Sequence, residues 1–293
     1  MPVIVPDRRY PEPVQLKSLH RHPLKSGRIE DLDAATVDPW GLAGDRRWMV
    51  VDAEGTFLTA REERRLLAID ARLTEAGIRL SVPGRPAIDV PDPDPARQVP
   101  VRIWSSLITA AEATTAAGWL TETLGREVRL VHLDDPTRRA VNPARSEPED
   151  RVSLADGYPL LVTTQTSLAA LNRAIEEDGG DPVPMSRFRP NLVIDGDEPW
   201  SEDDWRRIRV GDATFRAVKG CARCVITTLE PQDSGEVARG KEPIRTLARI
   251  RRFSGAVWFG VNLIPDVAGV TVRIGDEVEV LEAAEPGGGP LGA

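Results

Sequence analysis

Short apolar runs broken by proline and glycine dominate the chain, and that pattern predicts strands more than helices. Val14 to Leu19 alternates apolar and polar positions as a strand does, and a polar break follows from His20 to Gly27. Arg47-Trp48-Met49-Val50-Val51, the loop Asp52 to Gly55 and Thr56 to Thr59 read as strand, turn and strand. Ile78–Val82, Ala87–Val90 and Val99–Trp104 are further short strands. Ala110–Leu124 is alanine-rich and predicts a helix that Gly125 stops.

The second half repeats this alternation. Tyr158–Thr163 and Asn191–Ile194 read as strands, and Ser167–Glu177 as a helix with Leu168, Leu171 and Ile175 on one face and Gly179-Gly180 beyond its end. Ser201 with Asp204 three residues on predicts a helix start, with Trp205 facing inward. Two segments look alike: Ile208 to Asp212 before Thr214 to Arg216, and Val272 to Asp276 before Val278 to Val280. Each predicts a hairpin across a Gly-Asp turn. The proline- and charge-rich stretch Asp134–Asp150 reads as a linker. Residues 1–12 and the Gly/Pro-rich 284–293 read as loose tails. The expected fold is mainly β with some helices (α+β), in two β-barrel-like domains over 13–134 and 150–283 joined by a linker over 135–149.

Composition narrows the chemistry. The chain of 293 residues carries a formal net charge of −8, which argues against general nucleic-acid binding. Basic residues are 34 arginines against four lysines, Lys17, Lys25, Lys219 and Lys241. No apolar run is long enough to span a membrane, and residues 1–13 lack a signal-peptide core, so the expected location is cytoplasmic. Two cysteines, Cys221 and Cys224, exclude four-thiolate zinc sites, four-thiolate iron–sulfur clusters and a disulfide scaffold.

The string Lys219-Gly220-Cys221-Ala222-Arg223-Cys224 is open to several readings. A redox pair would set the first cysteine at a helix start, against which Val225-Ile226-Thr227-Thr228 favours a strand. A zinc site would need His20 and His22. A single thiolate could hold a soft metal, with Lys219 and Arg223 stabilising the charge. Two buried cysteines could also pack as small apolar groups.

Other segments supply context. The cysteine string runs on through Thr227-Thr228 and Leu229-Glu230-Pro231-Gln232-Asp233-Ser234-Gly235. Arg187-Phe188-Arg189-Pro190-Asn191 precedes it and Phe259-Gly260-Val261-Asn262 follows it. The first half holds His22-Pro23-Leu24-Lys25-Ser26-Gly27 and Gly41-Leu42-Ala43-Gly44-Asp45-Arg46-Arg47-Trp48. In this order the motifs resemble MOSC-domain proteins with an N-terminal β-barrel domain, the group that includes mitochondrial amidoxime-reducing components and their bacterial relatives.

The resemblance implies a molybdenum cofactor (molybdopterin) whose metal is held by one protein cysteine. That ligand carries over to Cys224, a choice the residues alone leave open between Cys224 and Cys221. It also implies cofactor contacts at Lys25, Ser26, Arg46, Arg189, Asn191, Ala222 and Arg223, weaker ones at Asp156 and Thr164, and a position lining the metal pocket at Asn262. These residue types suit the task. Arginine forks and lysine bind phosphate, and asparagine donates and accepts at a heterocycle edge. Taken singly, each also fits an ordinary turn or a solvated surface arginine. Ala222 and Gly157 stand where relatives commonly have hydroxyl residues, so side-chain contacts there are lost.

The implied activity is reduction of N-hydroxylated small molecules such as amidoximes. With no thiols left for an internal iron–sulfur relay, electrons are expected from a separate donor, a ferredoxin, flavodoxin or reductase. The alternative is a cofactor or sulfur (persulfide) carrier without reductase activity. No nucleic-acid or membrane partner is expected.

Overall fold

Strands from the start of the chain complete a sheet built mostly by its second half. In a computed structural model that describes residues 14–293, the largest sheet runs, in pairing order, Glu30–Leu32, Leu16–Arg21, Leu192–Ile194, Leu160–Thr164, Ala256–Pro265, Ala213–Ala222, Trp205–Val210 and Val278–Ala283. The tail expected over residues 1–12 lies outside the described residues. Leu16 and Leu19 face inward on their strand, and with Val37 and Leu42 they share a core with Val162, Ile208, Phe215 and Val261. Leu19 pairs with Leu192, which closes an edge that would otherwise expose unpaired backbone groups. The early strands thus pack into the core that the second half builds.

The rest of the first half has its own core, built around Leu24, Trp48, Val50, Leu66, Ile78 and Leu120. Around it lie a four-stranded sheet, Trp48–Val51, Arg129–His132, Ser106–Glu112 and Gln98–Ile103, and a three-stranded sheet, Asp70–Thr74, Gly77–Val82 and Arg85–Pro91. The expected mainly β fold with a few helices is what the protein has. Among the described residues the three α-helices are α1 (Ala117–Leu124), α2 (Gln165–Glu177) and α3 (Ile244–Ile250). None is long and apolar enough to cross a membrane.

Several local expectations are corrected. The helix expected over Ala110–Leu124 starts only at Ala117. Ala110 and Ala111 end a strand, where they pair with Val99 and Gln98, so sheet pairing overrides alanine's helix propensity. Ser201 starts a 3-10 turn, Ser201–Asp203, without a capping bond, and Trp205 opens a strand instead of facing inward from a helix. Of the two look-alike segments, only the first is a hairpin, with Val210 opposite Ala213. The arms of the second part company: Thr271–Arg273 pairs with Ala34–Asp38, and Val278–Ala283 with Trp205–Val210. Thr56 to Thr59 makes isolated bridges, not a strand.

The linker region is ordered by 3-10 turns at Pro136–Arg138 and Pro143–Arg145, and Arg216 fastens its end through Asp150 at 2.7 Å. At the end of the chain, Leu291 packs on the second core and its carbonyl accepts from Gly220 N at 2.8 Å, so the expected loose tail is docked.

The central strand Ala256–Pro265 depends on Gly260. Its φ of +75° is a left-handed value, and a Cβ there would meet Val162 O and Thr163 Cγ2, both at 2.7 Å. Glycine lets this strand lie close against its antiparallel neighbour Leu160–Thr164, in a register that places Asn262 opposite Leu161.

Candidate functional site

Loops from both halves meet around a cavity of about 160 Å³. Lys25, Ser26, Arg46 and Arg61 come from the first half. Asp156 to Leu161, Arg187 to Arg189, Asn191, Cys221 to Cys224 and Asn262 come from the second. Every site residue expected from the sequence lines this cavity except Thr164.

The backbone bends sharply to bring these side chains together. Of six non-glycine residues with left-handed φ among the described residues, three line the cavity: Ser26 at +64°, Arg46 at +49° and Arg189 at +55°. Such conformations are unfavourable for residues with a Cβ and gather at functional sites. Hydrogen bonds hold them in place. Lys25 N donates to Trp48 O at 2.8 Å, and Arg46 N to His22 O at 2.7 Å, which ties the two first-half loops side by side. Buried Asp45 accepts from His22 N at 2.7 Å and also receives the Arg46 guanidinium. His22 Nε2–H donates to Pro190 O at 3.1 Å, since a carbonyl only accepts. Burial, and then Arg46 and Arg189, hold the His22 pKa well below its ordinary value, so the ring is neutral.

The electrostatics are lopsided. Six cationic side chains, Lys25, Arg46, Arg61, Arg187, Arg189 and Arg223, line the cavity against one carboxylate, Asp156. Asp156 is ion-paired to both Lys25 and Arg61. Burial opposes its ionisation, but these two cations hold its carboxyl well below the usual range. Burial pushes Lys25 down to about 8, against the pull of Asp156, and burial with the neighbouring Arg46 pushes Arg189 down to about 9. Both shifts are set first by burial, which the nearby carboxylates only partly offset. Arg61 Nη1 and Arg223 Nε are buried without a hydrogen-bond partner. An anionic guest would satisfy both the charge and these donors.

The asparagines serve differently from expectation. Asn191 is fully buried, its Nδ2 donating to His20 O at 3.1 Å and its Oδ1 accepting from Leu161 N and Arg46 Nη1, each at 3.2 Å. It joins strands from the two halves and aims Arg46, which leaves it little capacity to pair with a heterocycle edge. Asn262 Nδ2 donates to Lys219 O at 3.1 Å and Gly220 O at 3.2 Å. With both amide hydrogens engaged, its Oδ1 is the group available as an acceptor.

The cysteines part at this point. Cys221 takes the Arg223 guanidinium at 2.6 Å, while Arg61 lies beside Cys224. Burial lowers the Arg61 pKa, but Asp156 and the Cys224 sulfur outweigh it and raise the value. Val225–Thr228, expected to be a strand, is a 3-10 turn beginning after Cys224. The Thr227 hydroxyl donates to Cys224 O at 3.0 Å and the Thr228 hydroxyl to Val225 O at 2.7 Å, closing the turn that threonine's strand propensity disfavours. The histidines do not join the sulfurs, since His20 bonds Asp31 at 2.7 Å and His22 is buried under Pro190. Among the described residues no group of three His, Cys, Asp or Glu side chains is placed to hold a metal.

Arg61 was missed from the sequence because Arg61-Glu62-Glu63-Arg64-Arg65 looks like a solvated charged run. Arg187 stood in a quoted motif without a role. It crosses behind Phe188 to donate to Thr227 O at 2.8 Å and pairs with Glu230 at 2.9 Å, bracing the segment after Cys224.

Thr164 serves elsewhere. It caps α2 by accepting from Ser167 N at 3.2 Å and bonds the buried Glu202 at 3.1 Å. Burial pushes the Glu202 carboxyl up to about 7. A pKa raised above the unfolded value means that the folded protein binds the proton more tightly. That stabilising contribution is present below about pH 4.5 and is lost as pH rises to 7. Glu202→Gln, which cannot ionise, is expected to gain about 1 kcal/mol over the wild type at pH 8, or about 2–4 °C in Tm, and nothing at pH 4.5. Thermal melts at both pH values check this, and an equal shift at both would refute the ionisation account.

Comparison with known proteins agrees with this arrangement. The MOSC domain model matches residues 149–279, and the MOSC N-terminal beta barrel domain model matches residues 14–127. The chain is 31% identical to mitochondrial amidoxime-reducing component 1 of Xenopus laevis over 88% of this chain and 79% of that protein. To the Homo sapiens protein of the same name it is 30% identical over 89% and 81%. It is 29% identical to molybdenum cofactor sulfurase of Oryza sativa subsp. japonica over 85% of this chain but only 32% of that protein, about a third of its length.

Proposed function

The chain belongs to the family of MOSC-domain proteins with an N-terminal MOSC β-barrel domain, and from that premise we propose that it is a molybdenum-cofactor-dependent reductase of N-hydroxylated compounds fed by a separate electron donor. The observation that carries the reading is a cavity with six cationic side chains, one carboxylate and two free thiols in a chain of net charge −8. The residues fit the group. The cofactor is an anion with a phosphate and a dithiolene, and the cavity offers unpaired guanidinium hydrogens and a thiol for a soft metal. With no three-residue protein metal site among the described residues, a metal at Cys224 would take its other ligands from such a cofactor.

In this reading the Cys224 sulfur is the protein ligand. Lys25, Arg46 and Arg189 hold phosphate and pterin, Ser26 and the Ala222 backbone add contacts at the rim, and Arg223 sits beside the ligand. Asp156 keeps Lys25 and Arg61 charged and oriented. When bound, the group supplies two-electron chemistry at molybdenum, by which an N–OH compound, two electrons and two protons give the N–H compound and water. Asn262 Oδ1 is placed to accept a hydrogen bond from the N–H or O–H of such a substrate and so to orient it. Phe188, stacked on Phe259 at 3.8 Å, and Leu161 give the cavity apolar walls that would limit water beside the bound group.

Protein expressed in a host that makes the cofactor is expected to carry molybdenum and pterin at about one per chain. It should also reduce an amidoxime when a reduced viologen dye supplies electrons. Protein without molybdenum from such a host would overturn the reading. A cysteine persulfide without turnover would favour the carrier, which the second thiol at Cys221 makes chemically available.

A further inference from the structure

A fourth left-handed residue stands one contact outside the cavity. Trp104 and Ser105 form the two-residue tip between strands Gln98–Ile103 and Ser106–Glu112, and Trp104 has φ +50°. At the first position of such a tip this conformation is the province of glycine or asparagine, and a bulky aromatic is an outlier there. The side chain is not hidden in compensation, being 46% exposed. Two of its contacts lead to the site. The indole lies 5.0 Å from the Phe57 ring, and the Arg61 guanidinium lies 5.0 Å from the indole. Phe57 in turn lies under Lys25 at 5.6 Å, and both Lys25 and Arg61 bind Asp156. Lys25, Phe57, Trp104, Arg61 and Asp156 thus close a ring whose outer member, Trp104, is about half-exposed.

We infer that Trp104, held over Arg61, is a substrate-specificity residue: a stacking platform at the cavity rim that selects N-hydroxylated substrates bearing a planar aromatic group over aliphatic ones. The class of substrate rests on the reductase reading; the platform itself rests on the geometry of Trp104. An aromatic ring seated on the indole keeps its N–OH end directed past Arg61 toward Cys224 and Asn262, whereas an aliphatic substrate has no face to stack. The unfavourable turn conformation is explained by this placement, because glycine or asparagine would make the same tip without the platform.

The test uses Trp104→Gly and Trp104→Asn, both suited to the left-handed turn, so folding is retained and is checked by thermal melts. Binding of benzamidoxime and of acetamidoxime, with no electron donor present, is measured by calorimetry, and kcat and KM with a reduced viologen dye. Both variants are expected to bind benzamidoxime about tenfold more weakly, with KM raised in step, kcat unchanged and acetamidoxime unaffected. Equal binding of benzamidoxime by the variants and the wild type, or parallel losses for both compounds, would overturn the platform. Failure of the reductase reading shows separately, as absence of turnover in a protein whose benzamidoxime binding still depends on Trp104.

Discussion

Replacing Cys224 by serine is expected to remove molybdenum from protein purified out of a cofactor-competent host and to lower amidoxime reduction by more than about 100-fold. A hard hydroxyl is a poor partner for a metal that the thiolate suits, and the cavity offers Cys221 only at the cost of its contact with Arg223, at 2.6 Å. Cys221→Ser should therefore keep its molybdenum. Metal analysis of both variants beside the wild type decides the matter. Molybdenum lost from Cys221→Ser and kept by Cys224→Ser would reverse the assignment of the two sulfurs. The pterin content of Cys224→Ser adds a further reading, since the cationic wall of Lys25, Arg46 and Arg189 is intact in it and should retain part of the organic moiety.

Asp156→Asn is expected to lower the stability of cofactor-free protein by about 2 kcal/mol at pH 6.5, a Tm lower by about 4–8 °C. Lys25 is 5% exposed, and its remaining partner would be Leu154 O at 2.9 Å. A fully buried broken pair costs more, but the Asp156 side chain is half-exposed, which screens the loss. The deficit carries a pH signature. Burial already pushes Lys25 down to about 8 from 10.5, so the folded chain sheds this proton before the unfolded chain does. A depressed lysine is penalised below its folded pKa, and the penalty fades as pH rises from about 8 towards 10.5. Removing Asp156 pushes Lys25 lower still, so melts at pH 9 should show a smaller difference than melts at pH 6.5. A Tm equal to wild type at pH 6.5 would show that Asp156 does not hold Lys25.

The left-handed residues explain why most of the site was legible by motif and little of it by physics. Nothing in the propensities of Ser26, Arg46 or Arg189 signals φ near +50 to +64°. Those values are imposed by loop-to-loop hydrogen bonds such as Arg46 N to His22 O, between segments 24 residues apart, and His22 to Pro190 O, across 168 residues. Arg61 was invisible for a related reason, since its partner Asp156 is 95 residues away. Thr164 shows the opposite failure. A position read as a cofactor contact is a helix cap turned to Glu202, because capping is a local bond that the start of α2 requires.

What the sequence determined by itself is what depends on local pattern. The mainly β class, α2 with its apolar face, the first Gly-Asp hairpin and the confinement of both thiols to one segment follow from side-chain period, turn chemistry and a count of two cysteines. What only the tertiary structure decided is which strands pair and which charges meet. The second Gly-Asp segment has the local pattern of the first, yet its arms pair with Ala34–Asp38 and Trp205–Val210, and Leu16–Arg21 crosses into the second core. The cationic cavity within an acidic chain is of the same kind. Its residues lie far apart in sequence, and their charges act on one another only across the short distances that folding creates, in a buried setting where water no longer screens them.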